Sequence, residues 1–177
     1  MSVLSDVKTR VARLAQTEKS QYAHGQERPL GGYLAAMSVY GAAAGTLAAA
    51  IRLTRKEVPD GLAGKDLVLA AIATHKLSRL VTKDPVTSPL RAPFTTYQDT
   101  EGPAELSEQV RGSGARKAVG ELITCPFCID MWVATAFTAG FVLLPRATRL
   151  AVGTLAVLAG ADALQFGYAL LQEQETS

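Results

Sequence analysis

The feature that most constrains this chain is an uncharged run of 23 residues, Pro29 to Ile51, closed by Arg28 on one side and Arg52 on the other. At about 1.5 Å per residue, a helix of that length crosses a hydrocarbon layer of about 30 Å. Such a layer leaves few alternatives to a helix, because every backbone polar group must find its partner inside the segment. The run is therefore expected to be the first of several transmembrane helices. A secretory leader is the competing account, since Ala48, Ala49 and Ala50 end the run and basic residues precede it. The apolar stretch is too long for an ordinary leader core.

Three weaker segments follow. Leu62 to Val81 is a second candidate, but its uncharged part, Leu67 to Thr74, gives way to His75, Lys76 and Arg79. Met131 to Pro145 reaches spanning length only by including Glu121 to Asp130 upstream, or by tilting and snorkelling. Leu150 to Leu171 is 22 residues long with Asp162 near its middle. The expected architecture is all-α: a polytopic integral membrane protein of about four transmembrane helices, near residues 29–51, 62–82, 125–145 and 150–171. Residues 29–177 then form one membrane domain, with residues 83–124 a long ordered cytoplasmic loop between the second and third helices. Three spans plus a half-buried helix is the rival count. Composition agrees with a membrane protein, at 48% apolar and 19% charged, although 177 residues would also suffice for a soluble helical core.

Residues 1–28 read as an N-terminal tail, either amphipathic or flexible. Val3, Leu4, Val7, Val11 and Leu14 recur at helical spacing while Lys8, Arg10 and Arg13 occupy other faces, the pattern of a helix lying on a membrane surface. The polar stretch Thr17 to Glu27 speaks for the flexible alternative. Basic residues flanking spans stay on the cytoplasmic side. The tail and the middle region hold twelve of them, from Lys8 through Lys117, against six at Arg52, Arg55, Lys56, Lys65, Arg146 and Arg149. Both termini and the middle loop are therefore expected in the cytoplasm, in a protein of the cell membrane.

The middle loop is long for a connection in so small a protein, and such loops are usually functional or disordered. Pro85, Pro89 and Pro93 stand four residues apart, which opposes a regular helix and favours an ordered extended path. A polar stretch around Glu101, Glu105 and Glu108 follows, then the turn Gly112-Ser-Gly114. Helical character returns from Ala115 and leads into Thr124-Cys-Pro-Phe-Cys-Ile-Asp-Met-Trp132.

His75-Lys-Leu-Ser-Arg79, Lys83-Asp-Pro-Val-Thr87, Arg91-Ala-Pro-Phe94 and Gly120-Glu-Leu-Ile-Thr-Cys-Pro-Phe-Cys128 with Trp132 together resemble the bacterial domain-of-unknown-function 1360 family. The similarity runs from about Leu67 to Leu170 and leaves the tail and first span outside. It implies a small bacterial membrane protein, with sporulating Gram-positive bacteria among the hosts. The family supplies no established activity, so no catalytic residue is carried over.

Cys125 and Cys128 form the chain's single Cys-x-x-Cys pair, at the entrance of the third span. A helix N-terminus lowers a thiol pKa, so such a pair can cycle between dithiol and disulfide. The arrangement resembles membrane quinone-linked thiol oxidoreductases, which need a second cysteine pair that this sequence does not have. Placement on the reducing cytoplasmic side also argues for reduced thiols. Zinc is a second chemistry for the pair, but four ligands are normally needed. They would come from two chains, or from His24, His75 or Asp130 within one. The plainest account is two small side chains packing at a membrane-edge turn.

A second constellation is basic: His75, Lys76, Arg79, Lys83 and Arg91, with Asp84 and Glu121 placed to support it. Ionisable groups at membrane depth usually face a bundle interior, a water pocket or the headgroups. Asp130 and Asp162 are natural partners for Lys76 or Arg79 in a structural ion-pair network. Alternatively the cluster holds an anionic lipid or a phosphorylated ligand. Small residues suggest assembly, through the Gly41-x-x-x-Gly45 step and through Gly153, Gly160 and Gly167 at seven-residue intervals. They serve equally for packing inside one bundle.

No phosphate loop, dinucleotide fingerprint, nucleophile elbow or zinc-protease helix is present, and a net charge of +2 gives no reason to invoke nucleic acid. The expected role is that of a non-enzymatic membrane anchor or assembly subunit, without a cofactor. Its expected partners are membrane lipids, further copies or a larger complex, and an acidic partner or anionic lipid at its cytoplasmic face. A thiol-redox or zinc-dependent membrane protein using Cys-Pro-Phe-Cys is the alternative.

Overall fold

The computed structural model describes residues 2–23, 28–102 and 104–176. Helix α1 (Ser2–Ala23) precedes α2 (Leu30–Leu53) and α3 (Gly64–Thr82). A 3-10 turn (Pro85–Thr87) and the one-turn α4 (Ser88–Arg91) lead to strands β1 (Thr95–Thr100) and β2 (Leu106–Val110). Then come α5 (Gly114–Thr124), α6 (Pro126–Leu143) and α7 (Pro145–Thr176).

Helices α2, α3, α6 and α7 form a bundle whose directions are fixed by pairs of residues. Tyr33 on α2 donates its hydroxyl to Glu121 at the end of α5. Tyr40, two turns on, meets Thr135 at 2.8 Å and packs edge-to-face on Trp132 at 5.1 Å. Lys56, past the end of α2, donates to the Leu143 carbonyl. Rising numbers thus meet rising numbers, and α2 runs parallel to α6. Asp66 pairs with Arg149 and Lys76 with Asp162, so α3 runs parallel to α7. The turn at Leu144 reverses α6 into α7, which sets the two parallel pairs antiparallel. One end of the bundle therefore carries the short turns, and the other carries residues 83–124 with the starts of α2 and α6.

The closed core is small: Ala73, Phe141 and Val152, supported by Leu62, Ala70, Phe137 and Leu155. Leu34, Met37, Val39, Val157 and Leu164 are exposed, and α2 buries no residue. Outward apolar surface of this kind is the mark of helices solvated by lipid. Three described helices are long and apolar enough to cross a membrane: Leu30–Leu53, Pro126–Leu143 and most of α7. The expected second span, 62–82, does form α3, but Lys65, Asp66, His75, Lys76 and Arg79 keep it below that apolar standard. The helix over the last expected span, 150–171, is longer than expected, because nothing in Pro145–Thr176 stops it at 171.

The prolines of the middle segment do not impose an extended path. Pro85 opens the 3-10 turn and Pro89 sits in the first turn of α4, where no backbone donor is required. Asp84 caps that turn by accepting the Val86 N–H at 2.8 Å. The polar stretch beyond is an antiparallel hairpin, with Thr95 opposite Val110 and Thr100 opposite Leu106. Gly112 and Gly114, at φ of 92° and 58°, make the expected turn into α5.

Candidate functional site

The hairpin lies against the ends of α3 and α4 and sets its acids on their bases one for one. Arg79 grips Glu105 through two hydrogen bonds, one of them 2.7 Å. Lys83 reaches Glu101 at 2.6 Å. Arg91 pairs with Glu108. A backbone bond from Leu106 N–H to the Lys83 carbonyl, 2.9 Å, fastens the same junction, and one from Arg111 N–H to the Phe94 carbonyl, also 2.9 Å, closes the base of the hairpin.

Arg91 is the anchor. It is 0% exposed, and an unpaired guanidinium there would be costly. Besides Glu108 it donates to the Val81 carbonyl at 2.8 Å, the Thr87 hydroxyl at 2.7 Å and the Asp84 carbonyl at 3.0 Å. The Thr95 hydroxyl lies 3.0 Å from the Arg91 carbonyl and 3.2 Å from Glu108 Oε1, tying both partners to β1. Four of the five basic residues singled out from sequence are thus held by acids of the same chain, which leaves them less charge for an outside anion. The hairpin acids were legible only as a polar stretch. Their spacing gives no hint of which base each would meet.

His75 is exposed and, with Lys76, Arg79, Glu105, Asp162 and Phe166, lines a cleft of about 450 Å³ between α3, α7 and the hairpin. Lys76 takes Asp162, as the sequence had suggested. Glu121 turns instead to Tyr33. Asp130 keeps a buried Oδ1 that has no hydrogen-bond partner among the described residues.

Cys125 and Cys128 sit at the junction of α5 and α6, joined as a disulfide with Cα atoms 5.2 Å apart. Cys125 is the N-cap of α6 and its sulfur accepts the Cys128 N–H at 3.3 Å, with Pro126 next in the first turn. Phe127 between them is 86% exposed. Among the described residues no three His, Cys, Asp or Glu side chains gather as a metal set. His75 lines the α3–α7 cleft, away from that junction, and His24 lies outside the described residues.

The small residues divide into two groups. A Cβ at Gly41, Gly45, Gly153, Gly160 or Gly167 would meet nothing within 4 Å. Among the described residues, these five therefore mark no close approach within the chain. Close approach is needed elsewhere: a Cβ on Gly32 would lie 2.5 Å from Ala118 Cβ, on Gly120 2.5 Å from Val110 Cγ1, and on Gly140 2.6 Å from Thr148 Oγ1.

A family model described as a protein of unknown function, DUF1360, matches residues 69–168, the stretch from within α3 into α7. Sporulation protein YjcA of Bacillus subtilis (strain 168) is 31% identical over 97 residues, covering 53% of this chain and 82% of the relative. No solved structure matches the chain.

Proposed function

The chain belongs to the DUF1360 family, and we propose that it acts as a non-enzymatic membrane subunit that assembles through its outward helix faces and holds a rigid charged platform at the cytoplasmic face. The observation that carries this reading is the open space around Gly41 and Gly45 on α2, a helix with no buried residue. In lipid, close van der Waals contact between small residues drives association. We take α3 as a fourth span, since it runs parallel to α7 through two ion pairs. Both termini and the hairpin then share the cytoplasmic side favoured by the basic residues. Contact with anionic lipid falls to α1, whose Val7, Val11 and Leu14 are exposed alongside Lys8, Arg10 and Arg13.

The test replaces Gly41 and Gly45 with Leu and measures oligomer size by crosslinking in membranes. Loss of the oligomer is expected, and an unchanged ladder refutes assembly through α2. A cysteine appended after Ser177 should label only after permeabilisation, in a background lacking Cys125 and Cys128. Labelling from outside intact cells reverses the orientation.

A second reading, thiol–disulfide exchange, is favoured by the closed cysteine pair at an exposed helix N-terminus. A partner dithiol would be oxidised while the Cys125–Cys128 bond is reduced, with two protons passing to the new thiols. Single variants Cys125→Ser and Cys128→Ser should then trap mixed disulfides with the partner in cells. Their absence from both variants removes this reading.

A further inference from the structure

The α3–α7 cleft differs in kind from the sealed Arg91–Glu108 pair. Its Lys76–Asp162 and Arg79–Glu105 pairs stand partly open, with Arg79 42% and Asp162 40% exposed along their side chains. Partly exposed pairs contribute little to stability, so opening them for a guest costs little. The cleft's volume, about 450 Å³, lies within the range of small-ligand sites.

The charges in the cleft are arranged as well as mixed. Lys76 and Arg79 stand three residues apart on α3 and so form one basic wall. The acids facing them come from other elements, Asp162 from α7 and Glu105 from the hairpin, with Asp84 nearby. Three carboxylates against two permanent cations disfavour a simple anion, and a simple cation would engage only the acidic wall and leave Lys76 and Arg79 without a contact to the guest. A guest carrying both charges satisfies both walls. Leu80, Phe166 and the small residues Ala159 and Ala163 add apolar lining, and His75 and Gln165 add two further polar groups.

We propose that this cleft binds a zwitterionic amine-phosphate head group, with its phosphate on Lys76 and Arg79 and its ammonium against Asp162 and Glu105. The depth suits such a guest, on the membrane reading advanced above. Asp162 stands 13 residues beyond Arg149 on α7, about 20 Å along the helix axis. With Arg149 at the opposite interface, Asp162 lies about 10 Å inside the hairpin-side boundary of a layer about 30 Å thick, and Glu105 of the hairpin carries the lining on toward that boundary. The guest chemistry is shared by a phospholipid head group and by free phosphoethanolamine.

The experiment purifies the full chain in detergent with equal amounts of phosphatidylethanolamine and phosphatidylglycerol and measures retained lipid on the monomeric fraction by native mass spectrometry. Wild type should retain phosphatidylethanolamine over phosphatidylglycerol by about fivefold, the scale of one partly exposed charge interaction. Asp162→Asn should abolish that preference, and Lys76→Gln should lower retention of both lipids. Displacement of the lipid by excess phosphoethanolamine assigns recognition to the head group alone; preference without displacement assigns it to the intact lipid. Equal retention of the two lipids by wild type overturns the proposal without depending on any variant. A protein that assembles in membranes yet shows no preference sinks this inference alone, whereas one recovered without detergent in the aqueous phase sinks the membrane reading beneath it.

Discussion

Arg91 and Glu108 close on each other with side chains only 1% and 6% exposed, so a one-turn helix and a β-strand share a buried charge pair. Burying two charges is costly unless geometry and further hydrogen bonds offset the loss of water. Three additional acceptors around Arg91 supply that offset. A two-stranded hairpin is marginal alone. This pair and its neighbours give the hairpin a fixed seat on the bundle.

Arg91→Gln should therefore release the hairpin while the bundle stays folded. Leaving Glu108 buried without its partner costs about 3–5 kcal/mol, comparable to what holds a small element in place. Amide exchange in Thr95–Val110 should accelerate strongly in the variant, with α2 and α6 amides unchanged. Replacing both partners with Met should cost less than either single change, because no orphan charge remains. Unaltered hairpin protection in Arg91→Gln removes the anchoring role.

How much of this was legible in the sequence depended on the kind of force involved. Helices apolar enough to cross a membrane write themselves as apolar runs, so α2 and α6 are legible to within two residues at each end, while α7 runs five residues beyond its expected bounds on either side. The Lys76–Asp162 pair was also foreseeable, since few acids lie at that depth. The hairpin was not read, because its strands alternate weakly and draw their stability from Arg79, Lys83 and Arg91 rather than from an apolar face. The glycines misled in part for a related reason. Regular spacing marked Gly153, Gly160 and Gly167, whereas close approach falls on Gly32, Gly120 and Gly140, and tertiary contact alone decides that.

The hairpin tip should loosen in acid. Hydrogen bonding and charge attraction from Lys83 hold the Glu101 carboxyl below its usual range. A group whose folded pKa is depressed stabilises above its unfolded value, and that contribution fades as pH falls through the folded one. Exchange at the tip should therefore rise as the solution is taken from neutral to below the ordinary carboxylate range, and Glu101→Gln should flatten that component. Identical pH profiles for wild type and variant would separate Glu101 from the effect.

Under reducing conditions, Cys125→Ser should leave α6 intact while Cys125→Ala weakens it. Cys125 occupies the N-cap and its sulfur accepts the Cys128 N–H. A Ser hydroxyl fills that role and a methyl cannot, a difference of about 1 kcal/mol. Thermal unfolding in detergent should rank the variants Ser above Ala. The reverse order would show that the cap geometry contributes nothing.

The two groups of glycines should respond oppositely to a single methyl group. At Gly140 a new Cβ would stand 2.6 Å from Thr148 Oγ1 and 3.2 Å from its Cγ2. Thr148 is buried, and its hydroxyl already bonds the Leu144 carbonyl at 3.0 Å, so it has little room to give. At Gly32 the obstacles are Ala118 Cβ at 2.5 Å and the Gly114 carbonyl at 3.2 Å, a backbone atom that cannot rotate away. Overpacking of this kind costs about 1–3 kcal/mol, so Gly32→Ala and Gly140→Ala should each lower the unfolding temperature of the monomer in detergent. Gly160→Ala meets open space and gains helix propensity of about 1 kcal/mol, so the monomer should hold or improve its stability. Assembly in membranes should respond the other way if α7 also contributes a face to it. Gly160→Ala would then weaken crosslinking although the monomer is sound. Destabilisation of the isolated monomer by Gly160→Ala would place a packed neighbour where the structure has open space.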